Sequence, residues 1–258
     1  MNVRARVVWA LFTVFTVIFL LSPLVLVVLF SFTDNALTNF PIERFSTRWF
    51  RVLFEKDEFW KAFSNSLKIA GSVAIVSTVV GTLAALALAR MRESLANAAL
   101  VLLCFPVMLP ALVIGIALLV FFNKTGVPLS LGTVILGHLV ITQPFVILIV
   151  YARMVGFDYA AVDSARDLGA SPWTAFVTVT LPMISTTVVG AALIALAISL
   201  DDFIITFFTI GGGNTLPTFI WGKVRTYLDP SINAIGTILI GLTIASTVLA
   251  LRLSRYRG

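Results

Sequence analysis

Six stretches of this sequence run for about twenty residues or more with almost no charge, and a water-soluble fold has no room for them. A helix needs about 20 apolar residues to cross the hydrocarbon of a bilayer. In lipid every backbone polar group must be paired internally, so spanning segments are helices or closed barrels. The stretches lie at 7–32, 69–89, 98–122, 131–152, 184–210 and 232–251. The chain is 59% hydrophobic and only 12% charged, against about 25% charged in soluble domains. We therefore expect an all-α, polytopic integral membrane protein with about six transmembrane helices. The first stretch follows Asn2, Arg4 and Arg6 and is uncharged for about 26 residues. Signal-peptide cores run for about 7–15 residues and end in a small-residue cleavage site, so this stretch reads as a retained span.

Prolines punctuate the runs. Pro23 falls in the first, Pro106 and Pro110 interrupt the third, and Pro144 lies in the fourth. Residues 33–65 carry mixed charge, with Trp49, Phe50, Val52, Leu53 and Phe54, then Phe59, Trp60 and Phe63, set among it. That pattern predicts short amphipathic helices in the interface, with aromatic rings at headgroup depth. Basic residues set the orientation. A cytoplasmic N-terminus gathers Arg4, Arg6, Arg90, Arg92, Arg153, Arg166, Arg252, Arg255 and Arg257 on one side, leaving Lys124, Lys223 and Arg225 in the shorter loops opposite. Five bases in the long first loop are balanced by Asp34, Glu43, Glu55, Asp57 and Glu58. Both termini are expected inside, and with them residues 158–182. The formal charge of +6 follows from these loops and does not call for nucleic acid.

Catalytic motifs are missing. Gly211-Gly212-Gly213 is not followed by Gly-Lys-Ser/Thr, and Cys104 and His138 are each the sole residue of their kind. No metal set, nucleophile-base pair or phosphate loop can be assembled, so the chain reads as no enzyme, with no cofactor or metal of its own. His138 and Gln143 read as hydrogen-bonded packing residues, with a role as solute ligands the alternative. The informative polar site is Asp201-Asp202 in the fifth run, since carboxylates in a span cost about 2.5–3.5 kcal/mol on insertion scales and line cavities or pair. On a continuous helix Ser199, Asp202, Thr206 and Thr209 fall within about 80° of one another. Asp202 is then the candidate for contact with a translocating solute. Asp201 points about 100° away and would be anchored by Lys223, Arg225 or backbone groups. Structural roles for both carboxylates stay open. So does their depth: Asp201 lies 19 residues past Pro182, about 28 Å of helix.

Between the fourth and fifth runs lies the longest polar stretch of the second half, 158–182. Asp158 can cap a helix carrying Ala160, Ala161, Val162, Ala165 and Leu168, which Gly169 would end. Ser171-Pro172 reads as N-cap and first residue of a second helix, and Leu181-Pro182 as a break. Asp163-Ser164-Ala165-Arg166-Asp167-Leu168-Gly169, followed by Val179-Thr180-Leu181-Pro182, resembles the EAA loop of ABC-importer permeases (Glu-Ala-Ala, three residues, Gly, nine residues, Ile, any residue, Leu-Pro). Asp163, Ser164 and Val179 depart from it conservatively. Asn65-Ser66 before the second run resembles the same family. The spermidine/putrescine branch, in its second permease, is the nearest likeness. It rests on Pro110 with Gly115-Ile116-Ala117, Gly137-His138, Ser199-Leu200-Asp201-Asp202-Phe203, Thr215-Leu216-Pro217 and Asp229-Pro230-Ser231-Ile232-Asn233-Ala234.

The resemblance implies a type I ABC importer permease in a bacterial inner membrane. Its partners would be a second permease, forming a heterodimer, two ATPase subunits that hold ATP and Mg, and an extracytoplasmic solute-binding protein. Residues 1–60 would form the first helix and a periplasmic interfacial segment, 61–252 the transporter domain and 253–258 a basic tail. Asp163, Ser164, Ala165, Arg166, Asp167, Gly169, Ala170 and Pro172 would couple to the ATPase, and Asp202, Asp201, Ser199 and Thr206 would line the pathway. The cargo would be a polyamine or related organic cation. Another amine, opine or amino-acid-like solute is the alternative, and a channel or secondary transporter without an ATPase the more distant one.

Overall fold

The computed structural model describes residues 3–35, 40–226 and 230–255; Asp229 and Arg257 fall outside them. Helix α1 (Val3–Ser31) passes through Pro23 without a break. Its side chains Val8, Phe12, Phe15 and Phe19 are all exposed, a state that only lipid or another subunit can solvate. Helix α2 (Arg48–Phe54) follows, then α3 (Asp57–Leu88). Phe59, Trp60 and Phe63 therefore open a long helix and do not form a short one of their own. Trp49, Leu53 and Phe59 are buried, and the Phe54, Phe59 and Trp60 rings pack at 5.3–5.9 Å. The aromatic residues expected at headgroup depth thus partly make a core.

The third run divides into α4 (Glu93–Cys104), a tight turn at Phe105–Met108 and α5 (Ala111–Thr125), bent by 95°. Pro110 causes the corner: its ring excludes Leu109 from helical geometry, and Leu109 is extended at φ −91°, ψ 142°. Helix α6 (Leu131–Val155) contains Pro144 and stays unbroken. It is followed by α7 (Ala160–Asp167), α8 (Pro172–Ala175), a wide π-type turn at Phe176–Thr180 and α9 (Leu181–Asp201). The wide turn follows from Pro182, which lacks an N–H and whose ring would strike the carbonyl four residues back; the Leu181 N–H reaches instead to the Phe176 carbonyl. The fifth run is not the single helix expected over 184–210. It stops at Asp201, and α10 (Ile204–Thr209) begins after Asp202 in extended geometry, φ −68°, ψ 118°. Helices α11 (Leu216–Thr226) and α12 (Ser231–Arg255) complete the chain.

Contacts divide the chain into two units, residues 1–60 with 219–242, and 61–218 with 243–258. In the first, α1 meets α12 where a side chain on Gly236 would come within 2.9 Å of Val27, and Lys223 lies 4.0 Å from Glu58. In the second, α6 is the central helix. Ser77, Gly81 and Ala85, one turn apart on α3, meet Thr142, Val146 and Val150 on α6. Ser77 and Thr142 share a hydroxyl hydrogen bond of 2.6 Å. A Cβ on Gly81 would sit 2.6 Å from Val146, and Ala85 packs in one cluster with Val146 and Val150. Small residues of this kind let membrane helices approach closely where no hydrophobic effect drives them together. The far end of this unit is clipped by Ser66, whose hydroxyl accepts from the Leu216 N–H at 2.8 Å, and by Asn65, whose amide donates to the Asn214 carbonyl at 3.0 Å.

Candidate functional site

Two places in the second unit hold the polar side chains singled out in the sequence. In residues 158–182, the Asp158 carboxylate accepts from the Ala160 N–H at 2.9 Å, opening α7 as its spacing predicts. At the other end of α7 the Gly169 N–H donates to the Arg166 carbonyl at 2.9 Å and the Ala170 N–H to the Ala165 carbonyl at 3.0 Å. This is a Schellman termination, with Gly169 at φ 91°. Two residues later the Ser171 hydroxyl accepts from the Thr174 N–H at 3.1 Å with Pro172 in the first turn. Val162 and Ala175 are buried in one cluster with Met154, Phe157 and Ala85, so the helix pair is fixed to the ends of α3 and α6. Its outer side is open: Leu168 is 89% and Trp173 70% exposed.

A cleft of about 430 Å³ on this pair is lined by Asp163, Arg166, Asp167, Gly169, Ala170 and Pro172. The structure thus brings six of the eight predicted coupling residues to one recess. Ser164 instead donates its hydroxyl back to the Ala160 carbonyl at 2.8 Å, and Ala165 packs inward against the core. A second groove, of about 770 Å³, runs between the helix pair and the end of α3, with Leu83, Arg90, Tyr159, Arg166, Trp173 and Phe176 on its walls.

The second place is the break in the fifth run. Ser199, Asp202 and Thr206 do converge, but around a residue that sequence reasoning had set down as packing. His138 of α6 is 1% exposed, with Nδ1 2.7 Å from Ser199 Oγ and Nε2 2.9 Å from Thr206 Oγ1 and 3.2 Å from Asp202 Oδ1. The Thr206 N–H also donates to Asp202 Oδ1, and its hydroxyl to the Asp202 carbonyl, each at 3.1 Å. The Asp202 side chain is only 10% exposed. Asp201, expected to be the anchored carboxylate, is exposed and has no hydrogen-bond or ion-pair partner among the described residues. The helix ends at Asp201, so Asp202 turns into the cluster and Asp201 stays exposed on the last turn of α9. The one available sequence signal was Gly137-His138, where a small residue admits a neighbouring helix: a Cβ on Gly137 would meet Ile205 of α10 at 2.6 Å.

Residues 77–256 match the family described as binding-protein-dependent transport system inner membrane component. The chain is 32% identical over 231 residues to the putrescine transport system permease protein PotI of Escherichia coli (strain K12), covering 86% of this chain and 82% of the relative. It is 33% identical over 238 residues to the spermidine/putrescine transport system permease protein PotC of Haemophilus influenzae, covering 92% of each. Among solved structures the fold is similar to a chain of a bacterial ABC transporter involved in the import of the acidic polysaccharide alginate (TM-score 0.75, 17% identity, 98% of this chain and 96% of that one). It is also similar to one of the MetNI methionine ABC transporter (TM-score 0.62, 19% identity, 83% and 99%). At such identities the structures speak for the fold alone. With its apolar helices and these relatives, the chain is a multi-pass inner-membrane protein and a transport subunit; it belongs to the family of binding-protein-dependent inner membrane components, the permeases of type I ABC importers.

Proposed function

We propose that this permease carries polyamines or related organic cations inward as one of two permease subunits in an ATP-driven importer. Its relatives named for putrescine and spermidine transport, at 30–33% identity over most of the chain, support the substrate class. The structural observation that carries the reading is the break after α9. The last carbonyls of α9 have no following helical N–H groups to accept from, and the end of a helix macrodipole is negative. Asp201 adds an exposed carboxylate at that same end. Half-helix ends of this kind are where transporters hold cations. Asp201 is the contact with the passing cation in this reading, with Asp202, Ser199 and Thr206 shaping the break.

The remaining roles follow the family resemblance. Solute would arrive on an extracytoplasmic binding protein, and ATP and Mg would be held by two ATPase subunits. The second permease would be a different chain. Both termini and the 158–182 loop would face the cytoplasm, as the Arg distribution favours. The recess formed by Asp163, Arg166, Asp167, Gly169, Ala170 and Pro172 would receive an ATPase surface, with Ser164 and Ala165 fixing the helix beneath it. Two short helices joined at a hydrogen-bonded elbow carry displacement, where an unstructured loop would absorb it.

Reconstitution tests this. The assembled transporter in proteoliposomes, supplied with its binding protein and ATP, should take up labelled putrescine or spermidine. Uptake of an opine or neutral amino acid in their place would overturn the substrate class, and uptake without ATP would overturn the coupling.

A further inference from the structure

The fifth span breaks at a place where the local sequence forbids nothing. Residues 200–204 contain neither proline nor glycine, the usual causes of a sharp helix interruption. A continuous helix would keep backbone hydrogen bonds that the break gives up. Within the segment the Asp202–Thr206 pair offsets only part of that loss; the contacts that reach it from another helix come from His138, and the structure assigns the rest to this residue: we infer that it is the positioning residue of the broken span, tying both halves to α6 and keeping Asp202 turned inward so that Asp201 alone stands free.

The hydrogen count supports this. The Thr206 hydroxyl spends its hydrogen on the Asp202 carbonyl, so toward His138 its oxygen can only accept. Asp202 Oδ1 likewise accepts. Nε2 must then carry a hydrogen, and it lies between two acceptors, one on α10 and one at the break. In the neutral ring Nδ1 accepts from the Ser199 hydroxyl on α9. One buried ring thus touches the end of α9, the extended residue and the start of α10. A buried histidine that only packed would need one partner for each ring nitrogen; this one has three, spread over both halves of the span. Gly137 supplies the room, because any side chain there would push Ile205, and with it α10, away from the ring.

The functional consequence rests on the reading of this break as a cation pathway, so the test has one arm that needs no transport. In the assembled transporter with Cys104→Ala, a single cysteine placed at half-buried Ile204 reports the break through its rate of reaction with a hydrophilic maleimide. His138→Phe keeps a ring and removes both nitrogens; a segment released from α6 should change that rate at least about tenfold, the lower equilibrium worth of one hydrogen bond to a charged group. His138→Gln, which keeps a donor, should stay within about threefold of the parent. In the uptake arm His138→Phe should raise KM for polyamine about tenfold at unchanged binding-protein affinity, and adding Asp202→Asn should bring little further loss. Unchanged maleimide rates, or His138→Phe and Asp202→Asn effects that simply multiply, would overturn the positioning role. A maleimide response with no polyamine uptake by the parent would leave that role standing and refute only the substrate reading. Should His138→Phe fail to accumulate in the membrane, the same two rates measured in His138→Gln and His138→Asn decide it, the shorter amide being expected to release the segment and change the rate as the phenylalanine would.

Discussion

Gly169 offers a test in which backbone geometry and docking clearance predict opposite orders. It sits at φ 91°, and its N–H and that of Ala170 close α7 with hydrogen bonds of 2.9 and 3.0 Å. A Cβ built there meets nothing within 4 Å, so within this chain substitution costs only backbone strain. For an L-residue in left-handed geometry that is about 1–2 kcal/mol, and relief by opening the elbow lowers the population of correctly angled α7–α8 pairs by a factor of about 5–30. Asparagine tolerates such geometry better than alanine. Strain therefore predicts that Gly169→Asn retains most function, Gly169→Ala loses about 5–30-fold, and Gly169→Glu, which adds charge and bulk to the recess, abolishes it. If the glycine is needed only because a partner presses on it, size decides, and Ala should be better than Asn. The assay is ATPase activity stimulated by loaded binding protein, alongside copurification of the ATPase subunits at matched membrane levels. Ala outperforming Asn would refute the strain argument; full activity of Gly169→Glu would remove the loop from coupling altogether.

Other positions yield separate outcomes. Asp201→Asn should raise KM for polyamine uptake with the protein's thermal stability unchanged, whereas Asp202→Asn, by weakening a buried cluster, should lower the melting temperature in detergent; the reverse assignment would invert the roles given to the pair. Gly81→Val forces a side chain into the 2.6 Å gap at Val146 and should destabilise the α3–α6 contact by about 1–3 kcal/mol, read as a lower melting temperature that Val146→Ala in the same chain partly restores. Ser66→Ala leaves the buried Leu216 N–H without its acceptor and should cost about 1–3 kcal/mol, with Ser66→Thr milder.

The sequence was most informative wherever the cause of structure is local. Pro110 dictates the extended Leu109 and hence the corner between α4 and α5, although the angle of 95° depends on what each half packs against. Asp158, Gly169 and Ser171 each satisfy backbone groups within a few residues of themselves and Pro172 removes one that would lack a partner, so the helix pair they delimit could be read directly, and six of its eight predicted coupling residues share one recess. The break at Asp202 has only one local mark, a carboxylate that accepts from the Thr206 N–H of the helix after it. Periodicity assumed a continuous helix and placed Ser199, Asp202 and Thr206 on one stripe; the three do meet, but only because His138, more than sixty residues away in the chain, supplies partners that make an interrupted helix acceptable. A one-helix argument can find the members of such a cluster, since polar residues in a span must face something polar. It cannot say which member is consumed in holding the fold. That is decided by hydrogen-bond saturation: Asp202 accepts from a backbone N–H and lies against an imidazole, while Asp201, one residue earlier on the last turn of α9, has neither. Two adjacent carboxylates of identical chemistry thus acquire different surroundings from the position of a helix end, and we attribute that position to a side chain on another helix.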